Sequence, residues 1–265
     1  MNSDLLTRIE TLQKLLPEAG AIFLKYLDSD KLNVEEKDKN DFVTQADKDI
    51  ENYLSKNLLA TFSGDSILGE EYGSVDGSNN FQWIIDPIDG SNNYARRIVD
   101  ARIMVALAKD STILYAAIYN PERQELYHAT LGKGAHVLNL ITKKESPITV
   151  SSRAFGQSMV IYTAGLAKGD QQSLDILQNI VGKIGGIRLY GSAAIAFELI
   201  ASGRADCFIC NIAKPMDMAA GYLMVREAGG EVLNFTGSNW TLNDVDILVT
   251  NKNNKQDFLQ AVHIG

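Results

Sequence analysis

The spacing of apolar residues predicts two helices at the start of the chain. Apolar positions recur every three or four residues over 5–27, which is the period of one helix face. Pro17 interrupts this pattern and is expected to kink the helix. A second helix is predicted over 46–62, where Thr44 followed by Asp47 forms an N-terminal capping signature.

A polar segment and a set of short strands are predicted to complete the first half of the chain. Residues 28–41 are polar and charged without periodicity, so they are predicted to form a mobile loop. Short apolar runs then predict neighbouring strands of an antiparallel sheet, at 81–85, 102–108, 113–119, 126–129 and 135–138.

Strands and helices alternate in the second half, which predicts α/β layering. The predicted strands lie at 159–163, 187–190, 207–209, 231–235 and 247–250. The predicted helices lie near 170–181, 192–202, 216–228 and 255–263. We therefore expect one compact unit with two halves, an α+β half over 1–146 and an α/β half over 147–265.

The composition indicates a globular, acidic protein. The 265 residues are 45% apolar, and 25 Lys plus Arg against 33 Asp plus Glu give a net charge of −8. A nucleic-acid partner is not expected, because binding a phosphate backbone needs a basic face. Anionic substrates remain compatible with this charge if bound cations reverse its local sign. The sequence shows no secretory signal and no run near the ~18 apolar residues of a membrane span, so no membrane partner and a cytoplasmic location are expected.

Several common catalytic motifs are excluded. The sequence contains no Gly-x-Gly-x-x-Gly loop, no Walker-type loop and no Gly-x-Ser-x-Gly elbow, and its three histidines lack zinc spacing. Cys207 and Cys210 form a Cys-x-x-Cys pair, but residues i and i+3 of a strand point to opposite faces. We therefore interpret both as structural cysteines.

The segment 83–93, WIIDPIDGSNN, carries the strongest chemical signal. A buried strand is predicted to end at Asp86, where Pro87 lacks an N–H and should turn the chain. Asp89 follows, and the residues at 90–93 offer backbone N–H groups like those of a helix N-terminus. Paired carboxylates suit Mg²⁺ and exposed N–H groups suit a phosphate. The alternative is an ordinary Asp-Pro turn followed by an Asp-Gly turn.

Further acids favour the metal and phosphate interpretation of this segment. Glu70 follows a short apolar run at 67–68, and Asp217 follows Pro215 at the start of a predicted helix. Each acid also has an ordinary structural explanation, because Asp217 suits an N-terminal helix position and Asp47 suits the capping signature.

Four segments in this order resemble the successive signatures of the inositol monophosphatase family. They are DFVTQAD (41–47), GEE (69–71), WIIDPIDGSNNY (83–94) and MDMAAGYLMVREAGG (216–230), and the resemblance covers about residues 5–250. It implies a layered αβαβα sandwich of the inositol monophosphatase and fructose-1,6-bisphosphatase type. It also implies a homodimer that hydrolyses phosphomonoesters of small metabolites with Mg²⁺ and is inhibited by Li⁺.

The resemblance implies a complete set of metal ligands and catalytic groups. One metal would be held by Glu70, Asp86 and the carbonyl of Ile88, and a second by Asp86, Asp89 and Asp217. A third, weaker metal would approach through Asp41 and the 33–41 loop together with Glu70. Asp47 and Ser91 would orient and deprotonate the attacking water. The phosphate would be held at Gly90, Ser91 and Asn92, and the alcohol would be lined by Gly191, Ser192, Ala193, Cys210 and Asp217.

Two departures from the family pattern leave the substrate open. Cys210 stands where family members that prefer inositol phosphates carry a glutamate, and Met216 stands where a tryptophan is usual. One hypothesis is a broad phosphomonoesterase acting on inositol monophosphate, with NADP 2′-phosphate as a further substrate. A second is a phosphatase of adenosine 3′,5′-bisphosphate or fructose 1,6-bisphosphate, for which Lys214 and Arg188 would be the extra basic residues. The third is a non-catalytic metal- or phosphometabolite-binding protein.

Overall fold

The structure is a computed structural model that describes residues 3–29, 32–38, 41–163 and 170–263, without the side chains of 36–38 and 41. Its helices are α1 (Ser3–Leu27), α2 (Gln45–Thr61), α3 (Ser91–Ala95), α4 (Gln171–Ile180), α5 (Ala193–Ala201), α6 (Pro215–Glu227) and α7 (Lys255–Val262). Short 3₁₀ turns lie at Phe155–Gln157 and Lys252–Asn254.

The strands of the first half build a large sheet and a separate two-stranded ribbon. The ribbon pairs β1 (Glu35–Asp38) with β2 (Asp41–Val43). The large sheet contains β3 (Ser66–Gly69), β4 (Ser74–Val75), β5 (Phe81–Asp89), β6 (Arg102–Lys109), β7 (Thr112–Asn120), β8 (Glu125–Thr130), β9 (Ala135–Asn139) and β10 (Glu145–Ile148). Their order is β10-β9-β8-β7-β6-β5-β3-β4, and neighbours are antiparallel except for β3 and β5.

The second half contributes a smaller, mixed sheet. Its strands are β11 (Met159–Tyr162), β12 (Gly186–Arg188), β13 (Cys207–Cys210), β14 (Glu231–Leu233) and β15 (Ile247–Thr250), in the order β12-β11-β13-β15-β14. Strand β11 runs parallel to β12 and β13, whereas β15 is antiparallel to both of its neighbours.

Three apolar cores hold the five layers together, and the middle core spans both faces of the central helix layer. The first lies between α1, α2 and the large sheet, and Leu12 and Trp83 belong to it. The second lies between the two sheets and contains α5 and α6, with Ile84 facing it from the large sheet. The third packs α4 and α7 on the outer face of the small sheet, around Ile176 and Phe258. The αβαβα sandwich implied by the resemblance is therefore confirmed.

Alternation along the strands explains how one segment serves two cores. Trp83 and Ile84 are neighbours in β5 yet lie in different cores, because successive side chains of a strand point to opposite faces. Cys207 and Cys210 likewise face different cores from β13, and both are buried free cysteines. Their opposite orientation is as predicted, and their interpretation as structural residues stays a prediction.

The structure corrects several local predictions. The segment 28–41, predicted to be a loop, contains β1 and the first residue of β2. Strands of three or four residues are too short to show a hydrophobic period. Helix α1 continues through Pro17 as one helix, and the expected kink there stays a prediction. The prediction that the chain turns at Pro87 was wrong: β5 continues to Asp89, with a register irregularity opposite β6 that accommodates the missing N–H. The predicted strand at 187–190 lies instead at Gly186–Arg188, and β3, β4 and β10 were not predicted as strands.

Within the described residues, no helix combines the length and apolar character needed to span a membrane. The division into halves at residue 147 stays a prediction.

Candidate metal centre and active site

Three carboxylates meet where the large sheet faces helix α6. Glu70 follows β3, Asp86 lies in β5, and Asp217 lies in the first turn of α6. Their nearest ligand oxygens all lie within 4.8 Å of one another. The parallel register pairs Gly69 with Ile85. The residues that follow them, Glu70 and Asp86, are therefore brought together by the pairing of β3 with β5. Helix α6 then delivers the third from between the two sheets.

The electrostatics of this cluster favour a bound cation. Asp86 is buried, and burial together with the neighbouring carboxylates raises its pKa well above the usual value. Of the described residues that line the cleft, only Lys214 is cationic; its Nζ lies 3.7 Å from Glu70 Oε1 and its side chain is half exposed. One exposed ammonium does not neutralise this many acids. Hard oxygen donors at this spacing fit a divalent cation such as Mg²⁺.

Asp47 occupies the third position of α2 and faces the loop that follows β5. Its Oδ2 accepts the backbone N–H of Thr44 at 2.8 Å and the Thr44 hydroxyl at 2.6 Å, as the capping signature predicted. Its Oδ1 lies 3.3 Å from Ser91 Oγ. Burial is the main cause that raises the pKa of Asp47 to about 7, and the bonds from Thr44 oppose it. The carboxyl group is thus held at one oxygen and directed at Ser91 with the other.

Ser91 and Ile88 link this pair to the metal cluster. Ser91 Oγ lies 2.8 Å from the carbonyl oxygen of Ile88, closer than to Asp47, so its single hydrogen is donated mainly to Ile88. The backbone N–H of Ile88 in turn donates to Asp86 Oδ1 at 3.1 Å. Asp47, Ser91, Ile88 and Asp86 therefore form one hydrogen-bonded chain from the predicted base to a predicted metal ligand.

Asp89 lies in the same cleft but outside the cluster of three acids. Its carboxylate accepts the Ser192 hydroxyl and the backbone N–H groups of Ala194 at 2.7 Å and Ala193 at 3.3 Å. These groups form the N-terminus of α5, where a negative charge is favourable. Burial raises the pKa of Asp89, while these bonds and the charge of Arg102 oppose the rise. Its predicted role as a metal ligand stays a prediction.

Gly90 and the start of α3 form the floor of the cleft. Gly90 is the N-cap of α3 with φ of 94°, and a Cβ there would lie 2.7 Å from the Asp100 carbonyl oxygen. Only glycine therefore fits without strain. The first N–H groups of a helix have no partner within it, so those at Ser91 and Asn92 are available to an anion. The cleft encloses about 160 Å³.

The predicted alcohol-binding residues divide into two groups. Gly191 and Asp217 line the cleft, whereas Ser192 and Ala193 are buried behind it against Asp89. Cys210 is buried in β13 and does not line the cleft, and burial raises its pKa to about 12. Asp41 lies in β2, but its side chain is outside the described residues, so the third metal site stays a prediction.

Two further residues belong to the site although the sequence did not single them out. Phe42 lines the cleft from β2, beside the exposed guanidinium of Arg96. Glu51 is buried one turn beyond Asp47 and contacts the loop that carries Glu70. The spacing of four residues from Asp47 was the available signal, because it places both carboxylates on one face of α2.

Comparison with known proteins agrees with this geometry. The sequence matches the model of the inositol monophosphatase family over residues 4–264. The chain belongs to the inositol monophosphatase family. Nus factor SuhB of Escherichia coli (strain K12) is 34% identical over 226 residues, covering 83% of this chain and 82% of that protein. Inositol-1-monophosphatase of Mesorhizobium japonicum is 31% identical over 233 residues, covering 87% and 86%.

Solved structures share the fold over nearly the whole chain. The extragenic suppressor protein suhB from Bartonella henselae superposes with a TM-score of 0.89 at 30% identity, covering 97% of this chain and 98% of that one. The relatives carry names of two kinds, a phosphatase and a Nus factor. Membership of a phosphatase family is therefore established, whereas turnover, substrate and metal identity are matters for proposal. The expected homodimer and the expected absence of a nucleic-acid partner stay predictions.

Proposed function

We propose that this protein is a Mg²⁺-dependent phosphomonoesterase that hydrolyses a small polyol phosphate of the inositol monophosphate kind. One observation carries the proposal: the cluster of Glu70, Asp86 and Asp217 lies beside the Asp47–Ser91 pair and the N-terminus of α3. Phosphoryl transfer to water needs a metal site, an anion site and a base. The first two lie in the cleft, and the base reaches the cleft at Ser91.

The chain's own residues supply three functions. The carboxylate of Asp47 takes a proton from the attacking water, with the Ser91 hydroxyl orienting that water. The N–H groups at the start of α3 hold phosphate oxygens. The new bond joins the water oxygen to phosphorus as the bond from phosphorus to the alcohol oxygen breaks. The leaving oxygen takes a proton from a solvent water, and Asp47 afterwards returns its proton to solvent. Burial raises the pKa of Asp47 to about 7 in the metal-free cleft, which makes this carboxylate a stronger base than an exposed aspartate.

Glu70, Asp86 and Asp217 would hold the metal, with the Ile88 carbonyl and Asp89 as further ligands of a two-metal site. Bound Mg²⁺ would neutralise charge on the attacking and leaving oxygens. Because Li⁺ inhibition is implied by the family resemblance, we expect it here as well.

A small, permissive pocket supports a broad range of polyol phosphates. Cys210 is buried where the family pattern would place a glutamate for a ring hydroxyl, so one specificity contact is absent from the cleft wall. Lys214 gives some support to the bisphosphate alternative, because it is the cation among the described lining residues. Arg188 gives none, because it is exposed and does not line the cleft.

A binding role without turnover is the second candidate, because the relative at 34% identity is named a Nus factor. The two candidate functions predict different effects of replacing Asp47. A binding protein has no need of a buried carboxylate directed at a serine hydroxyl, since neither group helps to hold a metal. Turnover that depends on Asp47 therefore separates them.

The test is phosphate release from inositol 1-phosphate, NADP, adenosine 3′,5′-bisphosphate and fructose 1,6-bisphosphate, each with Mg²⁺ and with excess EDTA. We expect Mg²⁺-dependent release, fastest from inositol 1-phosphate. Asp47→Asn should lower kcat by about 10²–10⁴-fold, the usual contribution of a general base. Asp49→Asn is the matched control, because Asp49 lies on the same helix and bonds Tyr26 and Gln45 instead. No release from any substrate by folded, Mg²⁺-loaded protein would refute the proposal.

A further inference from the structure

Helix α2 carries a second buried carboxylate that the proposed chemistry does not use. Glu51 is 1% exposed and lies one helical turn after Asp47. Its Oε2 accepts the backbone N–H of Glu71 at 2.8 Å, and its Oε1 accepts that of Tyr72 at 2.9 Å. Both carboxylate oxygens are therefore bonded to the two residues that directly follow Glu70.

The turn that carries Glu70 is shaped around this carboxylate. A Cβ at position 69 would overlap the Glu51 carboxylate, so glycine at this position lets the carboxylate approach the backbone. The N–H of Gly69 donates to the carbonyl of Gly73 at 2.9 Å, which closes the turn on its other side. The backbone of Glu70 is thus held between a strand-like bond and a pair of charge-assisted bonds, which are stronger than neutral ones.

We propose that Glu51 is a positioning residue for the metal centre, which fixes the direction of the Glu70 carboxylate by holding the 70–72 backbone. The inference rests on the proposed function for the identity of the metal. Glu70 follows the end of β3 in a turn, where the sheet alone does not orient a side chain. Glu51 supplies that orientation from α2. Since Asp47 lies on the same face of α2, one rigid helix sets the position of both the base and the metal ligand.

Burying a carboxylate has a large desolvation cost, which two backbone hydrogen bonds only partly offset. If Glu51 only stabilised the fold, replacing it should lower the free energy of unfolding and leave the metal affinity unchanged. A positioning residue should affect metal affinity in protein that is still folded. Replacing a residue that orients a metal ligand commonly lowers the metal affinity by about 10–100-fold.

The test is Mg²⁺ titration by calorimetry on the full chain, with wild type, Glu51→Gln and Glu227→Gln. Glutamine keeps the size of the side chain but turns one acceptor into a donor that faces a backbone N–H. Glu227 is the matched control, because it also sits on a helix and accepts two turn N–H groups, from Gly132 at 2.8 Å and Gly134 at 2.7 Å. It lies ten residues after Asp217 in α6, about 15 Å along the axis.

We expect Glu51→Gln to raise the Kd for Mg²⁺ by about 10–100-fold, and Glu227→Gln to change it by less than about twofold. In turnover assays, Glu51→Gln should raise the Mg²⁺ concentration for half-maximal rate while kcat at saturating Mg²⁺ changes less. Urea unfolding in EDTA measures how far each variant is destabilised, so that a loss of folded protein is not mistaken for a loss of affinity.

Gly69→Ala perturbs the same contact from the opposite side and should raise the Kd in the same way. If Glu51→Gln does not fold, the Kd of Gly69→Ala for Mg²⁺ tests the inference by itself. Wild-type Mg²⁺ affinity in a folded variant overturns the inference about Glu51. Wild-type protein that binds Mg²⁺ but releases no phosphate overturns the proposed function and leaves the inference standing. Wild-type protein that binds no Mg²⁺ overturns both.

Discussion

Replacing Asp47 by asparagine is expected to stabilise the metal-free protein while removing its turnover. Asp47 is fully buried, and its pKa rises from 3.8 to about 7 chiefly because burial disfavours the charged form. In the unfolded chain the Asp47 carboxyl ionises near its ordinary pKa of 3.8, so below that pH it is protonated in both states and its full contribution to the free energy of unfolding is present. That contribution is lost as pH rises from about 4 to about 7, because the unfolded chain ionises first.

The size of the effect follows from the shift of about three pKa units. At 1.36 kcal/mol per unit, ionising Asp47 in the fold lowers the free energy of unfolding by about 4 kcal/mol above pH 7. Asparagine is nearly isosteric with the protonated carboxyl group and does not titrate. At pH 5 about 1–2 kcal/mol of this loss has already occurred, so we expect Asp47→Asn to exceed wild type by about 1–2 kcal/mol at pH 5 and by about 4 kcal/mol at pH 8.5.

The assay is urea unfolding in EDTA at intervals from pH 5 to pH 8.5. The difference between the two curves reports the ionisation of Asp47 together with its effect on the pKa of Asp86, which the charge of Asp47 helps to raise. Asp49→Asn is again the control and should follow wild type across the range. A difference below about 1 kcal/mol at pH 8.5, or a difference that does not grow with pH, would refute the argument. A more stable protein with little turnover would mark Asp47 as a residue kept for function at a cost in stability.

Three other predictions follow from separate parts of the molecule. Arg8→Ala should lower the free energy of unfolding by about 3–5 kcal/mol in urea, because it leaves buried Asp65 without the guanidinium bonded to it at 2.9 and 2.6 Å. Unchanged stability would show that this ion pair does not stabilise the fold. Gly90→Ala should abolish Mg²⁺-dependent phosphate release, because a Cβ would meet the Asp100 carbonyl oxygen at 2.7 Å; wild-type release would contradict this. Calorimetry with inorganic phosphate should detect no binding in EDTA, because the cleft is acidic without its cation, and retained affinity would exclude a metal-dependent anion site.

Asp89 joins the large sheet to helix α5 at the site itself. It ends β5 of the large sheet, and its carboxylate binds the N-terminus of α5, the helix that lies between the sheets. A second contact joins the same sheet and helix. Arg102 lies opposite Asp89 in the sheet register, and its Nε donates to Glu198 of α5 at 2.7 Å. The cleft is thus built on a junction held by one charged pair and by the hydrogen bonds of Asp89 to the N-terminus of α5, which fix the direction of the Asp89 carboxylate.

The sequence alone determined the features that depend on neighbouring residues. The helical period of α2 and its cap at Thr44 were readable because the contacts lie within four residues. The strands β6 to β9 were readable from short apolar runs separated by turns. The acidic segment 83–93 was also recognisable, because its unusual combination of residues occupies a single stretch of chain. The layered architecture followed from the resemblance that these segments carry.

Only the tertiary structure decided which groups meet. Asp86 and Asp217 are separated by 131 positions, and their approach depends on how α6 packs between two sheets. The same packing turned Asp89 towards α5, buried Cys210 below the cleft and placed Glu51 under the turn of Glu70. Such contacts depend on strand pairing and on helix packing between distant segments. A local pattern shows that a side chain is polar, but it does not show which distant backbone that side chain will hold.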